Sequence, residues 1–97
     1  MLERKKILNI LKQYKIEHTN DYGITKIGVF GSVARDEAKN SSDVDVVVEL
    51  KKPNLFTLSS IRQELEDKLK NRVDIIRFRD KMNLFLKEQI KKEAIYV

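Results

Sequence analysis

The chain has 97 residues, the length of one domain, so we expect residues 1–97 to fold as a single domain. Its 20 lysines and arginines against 15 aspartates and glutamates give a net charge of +5. This mild positive surplus could favour binding of a polyanion, but more often it keeps a protein soluble. Direct nucleic-acid binding is therefore not expected. With no cysteine and one histidine, His18, the sequence excludes a disulfide framework, a cysteine-based zinc site and a multi-histidine metal site.

The first half of the chain begins with apolar residues at helical spacing. Ile7, Leu11 and Tyr14 recur between charged residues, as in an amphipathic helix. The apolar run that follows the next turn has no helical period and is typical of a strand, although Gly28 interrupts its alternation. The predicted elements are a helix over about residues 2–16, a turn at Asn20–Gly23, a strand from Ile24 to Phe30 that ends at Gly31, and a short helical segment from Val33 to Lys39.

The second half contains the clearest strand of the sequence, a dense run of β-branched residues that Pro53 ends. Apolar residues at spacings of three and four then predict a helix, and a last helix should carry Met82 or Leu86, then Ile90, on its buried face. The predicted elements are a strand from Asp43 to Leu50, a helix over about residues 55–70, a strand from Arg72 to Phe78, a helix with Asp80 as its N-cap, and a short edge strand at Ile95–Val97.

This alternation of helices and strands indicates the fold class α/β, with a small mixed β-sheet of three to four strands covered by helices. No apolar run approaches the ~18 residues of a membrane span, and Met1 to Lys6 lack the long apolar stretch of a secretory signal. We therefore expect a cytoplasmic protein with no membrane partner.

Aspartates occupy positions in the predicted strands where apolar side chains are expected. Asp43 and Asp45 open the second strand and, because side chains alternate with period 2, both face the same side of the sheet. Alone, Asp-x-Asp at the start of a strand is a common solvated turn. Asp74 lies inside the third strand, however, and if the two strands are neighbours all three carboxylates converge at one end of the sheet.

Such a convergence is electrostatically costly. At ~4 Å and an effective dielectric of ~20, each like-charged pair costs about 4 kcal/mol, so three pairs approach ~10 kcal/mol, as much as the ~5–15 kcal/mol of net stability of a domain. A bound proton or a nearby positive charge must therefore compensate the repulsion between the three carboxylates. Arg72 could pair with Asp74, but a hard divalent cation such as Mg²⁺ is the better candidate, and three carboxylates suit two such ions.

A glycine and a serine follow the first strand. Gly31 would let the backbone approach a ligand closely, and the start of the next short helix would offer free N–H groups to phosphate oxygens, with the Ser32 hydroxyl as a further donor. Alone, Gly-Ser is a common turn. Followed closely by the Asp43-x-Asp45 pair, it predicts a phosphate-binding turn beside a metal site.

Together these segments resemble the signature of the DNA polymerase β-like nucleotidyltransferase superfamily: Gly31-Ser32-Val33-Ala34-Arg35, Ser42-Asp43-Val44-Asp45 and Val73-Asp74. The chain length and the Ala34-Arg35 pair are similar to the minimal nucleotidyltransferases of the MntA type, which are antitoxin partners of HEPN-domain toxins. The resemblance extends from about Ile24 to the C-terminus. Asp36 departs from it, since this group most often has glycine there, and the departure concerns the local turn rather than the chemistry.

The resemblance implies the polymerase β-like nucleotidyltransferase fold and transfer of AMP from ATP onto a hydroxyl. For this subgroup the acceptor is a tyrosine of the HEPN ribonuclease toxin, which the modification silences as pyrophosphate is released. Gly31 and Ser32 would hold the triphosphate. Arg35 would bind a phosphate as well, or it could instead pair with Asp36 or Glu37.

The same resemblance assigns the three aspartates to metal binding and catalysis. Asp43 and Asp45 would ligate Mg²⁺, and Asp74 would be the third carboxylate, which ligates the catalytic metal and helps to activate the incoming hydroxyl. Two Mg²⁺ ions are expected, one lowering the pKa of the attacking hydroxyl and both stabilising charge on the α-phosphate.

Two other readings stay open at this point. The protein could be a binding antitoxin that masks its toxin sterically without catalysis, or a nucleotidyltransferase that acts on a small molecule or RNA. The short chain disfavours the second reading, because no further domain is present to close over such a substrate.

Overall fold

The computed structural model describes residues 3–97 and confirms the predicted order of helices and strands. The elements are α1 Arg4–His18, β1 Ile24–Phe30, α2 Gly31–Ala34, β2 Val44–Leu50, α3 Leu55–Leu69, β3 Val73–Arg77, α4 Leu84–Glu93 and β4 Ile95–Tyr96. The predicted start of the first helix at residue 2 lies outside the described residues. Within them, no helix combines the length and the apolar character needed to cross a bilayer.

The strands form one mixed sheet in the order β3-β2-β1-β4, which confirms the predicted α/β class. β1 is antiparallel to both of its neighbours, whereas β2 and β3 are parallel and are joined through α3, the kind of crossover that parallel strands require. Because β2 and β3 are parallel, their amino-terminal ends lie side by side. At this end Asp45 is in register with Asp74.

Helices α1 and α3 cover one face of the sheet and form the larger core. Alternate residues of β2 point into this core, and its fully buried members are Leu11, Tyr14, Ile24, Ile27, Val29, Val44, Val46, Val48, Ile61 and Leu65. Burying each such side chain stabilises the fold by about 1.5–3 kcal/mol. Tyr14 therefore belongs to the core, and its hydroxyl donates a hydrogen bond to Glu64 Oε1 at 2.9 Å.

Helix α4 covers the opposite face with a smaller core. Phe30, Val47 and Ile90 are buried there, and Ile76 and Leu86 pack against them. Since Phe30 is the register partner of Asp45, the three aspartates share this face with α4. The last residue of α4, Glu93, lies beside the turn at Gly31.

The second helix is shorter than the sequence predicted. It begins at Gly31 rather than near Val33 and ends at Ala34, so the predicted helical segment up to Lys39 is wrong beyond its second residue. Asp36 has a φ of 59°, in the left-handed region, and a right-handed helix cannot continue through it. Aspartate is one of the few residues other than glycine that tolerate this conformation.

The N-cap predicted for the last helix was also wrong. The helix begins after Asn83, whose side chain accepts a hydrogen bond from the N–H of Leu86 at 3.0 Å, and Asp80 lies three residues upstream in a bend. Asparagine and aspartate cap helices about equally well, so residue type alone could not decide whether Asp80 or Asn83 caps α4. The position of the cap depends on the path of the chain between β3 and the helix. Met82 packs in the core below α4 but precedes the helix.

Candidate active site

The structure brings the predicted carboxylates together at the amino-terminal ends of β2 and β3. Asp45 and Asp74 occupy adjacent strands in register, about 4.8 Å apart, so their side chains leave the same face of the sheet. Asp43 precedes β2 by one residue and faces the same side through the two-residue alternation. The predicted proximity of the two strands is therefore confirmed.

Burial and the neighbouring negative charges of this cluster act on the pKa of Asp45. Asp45 is partly buried, whereas Asp43 and Asp74 are exposed. Burial, followed by the negative charges of Asp74 and Asp43, raises the pKa of the Asp45 carboxyl to about 6. Within residues 3–97, no lysine, arginine or histidine nitrogen lies within 4.0 Å of any of the three carboxylates, so the pairing of Arg72 with Asp74, considered above as an alternative to a metal ion, is absent there.

The donor set fits a hard divalent cation. Carboxylate oxygens are the ligands that Mg²⁺ prefers, and the negative charges of Asp74 and Asp43, which add to the effect of burial on the pKa of Asp45, also attract a cation. In the described part of the chain, no three histidine, aspartate or glutamate side chains are positioned so that they could hold an ion together. Metal binding by Asp43, Asp45 and Asp74 therefore stays a prediction, one that requires their side chains to reorient.

Asp45→Asn is expected to stabilise the metal-free protein near neutral pH. A carboxyl whose pKa is raised by folding, here from 3.8 to about 6, binds more protons folded than unfolded, so stability falls as the pH rises through that window. Asparagine removes this cost and should raise the free energy of unfolding by about 1–3 kcal/mol at neutral pH. Urea unfolding in EDTA, carried out at pH 7.5 and at pH 4, measures the difference in the free energy of unfolding between the variant and the parent. The gain should vanish at pH 4.

The control for this measurement is Asp67→Asn, because Asp67 is exposed on α3, outside the cluster, and its substitution should change stability by less than about 0.5 kcal/mol. An Asp45→Asn protein less stable than the parent at pH 7.5 would show that the Asp45 charge is well compensated and that the cluster is not crowded.

The turn after β1 is built around Gly31. Its φ is +70°, in the left-handed region, and a Cβ at this position would overlap the carboxylate of Asp45. The missing side chain thus allows the turn and the carboxylate to share one small space. Ser32 follows, partly buried, in the first turn of α2. The predicted neighbourhood of the Gly-Ser turn and the acidic pair is present.

Glu93, a residue that sequence analysis did not select, binds this turn. The N–H of Gly31 donates to Glu93 Oε2 at 3.1 Å, and Arg35 Nη1 donates to Glu93 Oε1 at 2.9 Å. Although partial burial opposes the effect, these two interactions hold the pKa of Glu93 below its ordinary value. Of the two partners proposed for Arg35 in the sequence, Glu37 is the one it pairs with, at 2.6 Å.

The turn is thus an anion-binding element next to a cation-attracting one. One backbone N–H and one guanidinium converge on a carboxylate of α4, and the aspartate cluster lies directly against the same turn. A ligand that carries phosphate oxygens together with a divalent cation satisfies both halves. Nothing in the sequence distinguished Glu93 from the other acidic residues of the chain, because its role depends on where α4 ends in space.

Comparisons with known proteins agree with this chemistry. The family model described as "Nucleotidyltransferase domain" matches residues 4–97. A protein of Thermococcus cleftensis named protein adenylyltransferase MntA is 35% identical over 98 residues, which cover 100% of this chain and 98% of that protein.

Two solved structures extend the comparison to the fold. One, provisionally described as a minimal nucleotidyltransferase, has a TM-score of 0.76 and 31% identity, with 96% of this chain and 94% of that chain covered. The other is the tri-AMPylated Shewanella oneidensis HEPN toxin in complex with MNT antitoxin, with a TM-score of 0.71, 17% identity and coverage of 96% and 70%. At that identity the second match shows the fold alone.

Proposed function

Because this chain belongs to the nucleotidyltransferase domain family, we propose that it transfers AMP from ATP to a tyrosine hydroxyl of a partner HEPN ribonuclease toxin and so acts as its antitoxin. The observation that carries the reaction class is the in-register pair of Asp45 and Asp74 beside the Gly31 turn. The name of the Thermococcus relative supports adenylyl transfer to a protein, and the Shewanella complex supports the kind of partner.

In the proposed reaction the tyrosine oxygen forms a bond to the α-phosphorus of ATP. The bond from that phosphorus to the bridging oxygen breaks, its electron pair leaves with pyrophosphate, and the phenolic proton passes through the Asp74 carboxylate to water. Asp74 suits this task because it is exposed and can be reached by a hydroxyl from another chain. When bound, two Mg²⁺ ions would supply charge neutralisation and acidify the attacking hydroxyl.

The remaining residues position the donor. Asp43 and Asp45 would hold the metal ions on the inner side of the site, where Asp45 is fixed between β1 and β3. Gly31, Ser32 and Arg35 would hold the triphosphate through a backbone N–H, a hydroxyl and a guanidinium. Such positioning is the main source of rate in transfers of phosphorus groups.

The experiment that tests this function uses the purified chain, Mg²⁺, α-³²P-labelled ATP and the HEPN-domain product of the neighbouring gene. Label should appear on the toxin, be lost when its acceptor tyrosine is changed to phenylalanine, and accompany loss of ribonuclease activity. No label on the toxin, under conditions where the two proteins form a complex, would contradict the proposal. Label on an added RNA or aminoglycoside instead would favour the small-molecule or RNA reading.

Glu93→Gln is expected to lower the KM for ATP about three- to tenfold without lowering kcat. Glu93 already accepts the hydrogen bonds of Gly31 and Arg35 that the triphosphate would use, and one N–H cannot serve two anions at once. The neutral amide competes less well, so ATP should bind more tightly. Steady-state kinetics measure the change.

Glu88→Gln provides the matched control, because Glu88 is an exposed residue of the same helix, 4.0 Å from Lys91. It should leave the KM for ATP within about twofold of the parent value. A KM that rises in Glu93→Gln would show that Glu93 orients Arg35 for the nucleotide rather than competing with it.

A further inference from the structure

The largest exposed apolar side chains lie in the first turns of α3 and α4. Leu55 is 83% exposed, and Phe56, Leu84 and Phe85 are exposed to a similar degree. Each pair follows an asparagine whose side chain caps the helix, Asn54 for α3 and Asn83 for α4. Large apolar side chains exposed in pairs are typical of a protein interface when they lie beside an apolar groove.

Between these two helix starts lies a groove that crosses the outer edge of β3, here called the β3-edge groove. Its volume is about 370 Å³, and its apolar lining consists of Leu55, Leu58, Ile75, Ile76, Met82 and Leu86. β3 is the terminal strand of the described sheet, so the groove is open to solvent along that edge. An extended segment or a helix turn of another protein fits such a surface.

The groove has a positive end. Arg77 and Arg79 line it, and none of the described residues that form its walls is acidic. Arg79 Nη1 donates to the backbone carbonyl of Arg77 at 2.9 Å, which fixes the Arg79 guanidinium beside the end of β3. The complementary ligand therefore carries apolar side chains next to a carboxylate.

The groove is continuous with the candidate active site. Ile76, which lines the groove, lies two residues after Asp74 in β3 and therefore on the same face of the sheet. Arg77 is three residues from Asp74, a distance of about 10 Å along a strand. A segment bound in the groove thus reaches Asp74 within three or four residues.

Resting on the function proposed above, we propose that the β3-edge groove binds the acceptor segment of the partner toxin. This segment inserts apolar side chains between Leu55 and Leu86, places a carboxylate against Arg77 and Arg79, and carries its acceptor tyrosine about three residues further on, at Asp74. The groove would then select the tyrosine to be modified, while the nucleotide is held on the other side of Asp74 by the Gly31 turn.

The test measures the Kd of the purified HEPN-domain product of the neighbouring gene by calorimetry without ATP, and the KM for that toxin in the labelling assay. Leu55→Ser and the double variant Arg77→Glu with Arg79→Glu should each raise the Kd and the toxin KM about tenfold or more, with the KM for ATP unchanged. The matched controls are Ile16→Ser, an exposed isoleucine of α1, and Lys5→Glu with Lys6→Glu, which should remain within about twofold.

Each outcome decides the proposal. Groove variants that bind and label the toxin like the parent would overturn the docking site while leaving the adenylyltransferase function intact. A parent protein that neither binds nor labels the toxin would overturn the proposed function and the docking site with it. If light scattering shows a parent dimer that Leu55→Ser dissociates, the groove is a self-association face and the proposal is wrong.

Discussion

Replacing Asp43 and Asp45 together by asparagine is expected to reduce AMP transfer about 1000-fold while leaving the affinity for the toxin within about twofold. Asparagine keeps the volume and removes the charge, so the cation-attracting half of the site is lost without a change in packing. A loss of about 4 kcal/mol of transition-state stabilisation corresponds to this factor. The measurements are initial rates of label transfer and calorimetric binding of the same toxin preparation.

The double substitution also separates catalysis from masking. The catalytic reading predicts that ribonuclease neutralisation disappears although the complex still forms, whereas steric masking predicts that both persist. Asp67→Asn, an exposed aspartate on α3, provides the charge control and should retain full transfer activity. Full neutralisation by the double variant would establish the binding antitoxin and contradict the enzyme.

Gly31→Ala is the second substitution with a large expected effect. Alanine at a φ of +70° costs about 1 kcal/mol, and its Cβ would overlap the Asp45 carboxylate, so either the turn or the aspartate must move. We expect the free energy of unfolding to fall by about 2–4 kcal/mol and AMP transfer to fall about 100-fold. Urea unfolding and the labelling assay measure the two effects on one preparation.

Gly23→Ala is the matched control for the backbone cost. Gly23 also has a left-handed φ, +67°, but its added Cβ would lie 3.3 Å from Lys51 Cβ, at the opposite end of β1 from Gly31. It should therefore lose about 1 kcal/mol of stability and keep its transfer activity within about twofold. Equal losses of activity in both variants would mean that Gly31 acts only through the stability of the fold.

The helices and strands were largely predictable because their signals are local. Hydrophobic periodicity located α1 and α3 to within a few residues, and runs of apolar and β-branched residues located β1, β2 and β3 equally well. The errors occurred at ends: α2 stopped at Ala34 because Asp36 is left-handed, and α4 began after Asn83 instead of Asp80. The end of α2 and the start of α4 both depend on the path of the chain between helices and strands. Capping residues in the sequence do not predict that path unambiguously.

Local patterns in the chain predict that Asp43 and Asp45 share a face and that a glycine turn precedes them, because these relations involve residues close together in one strand or turn. The folded arrangement was needed to show that β2 and β3 are parallel neighbours with Asp45 beside Asp74, and that Glu93 binds a turn 62 residues away. Contacts between distant segments depend on how helices pack across the sheet, and no periodicity within a segment encodes that choice. The same packing exposes the β3 edge and leaves Leu55 and its neighbours uncovered.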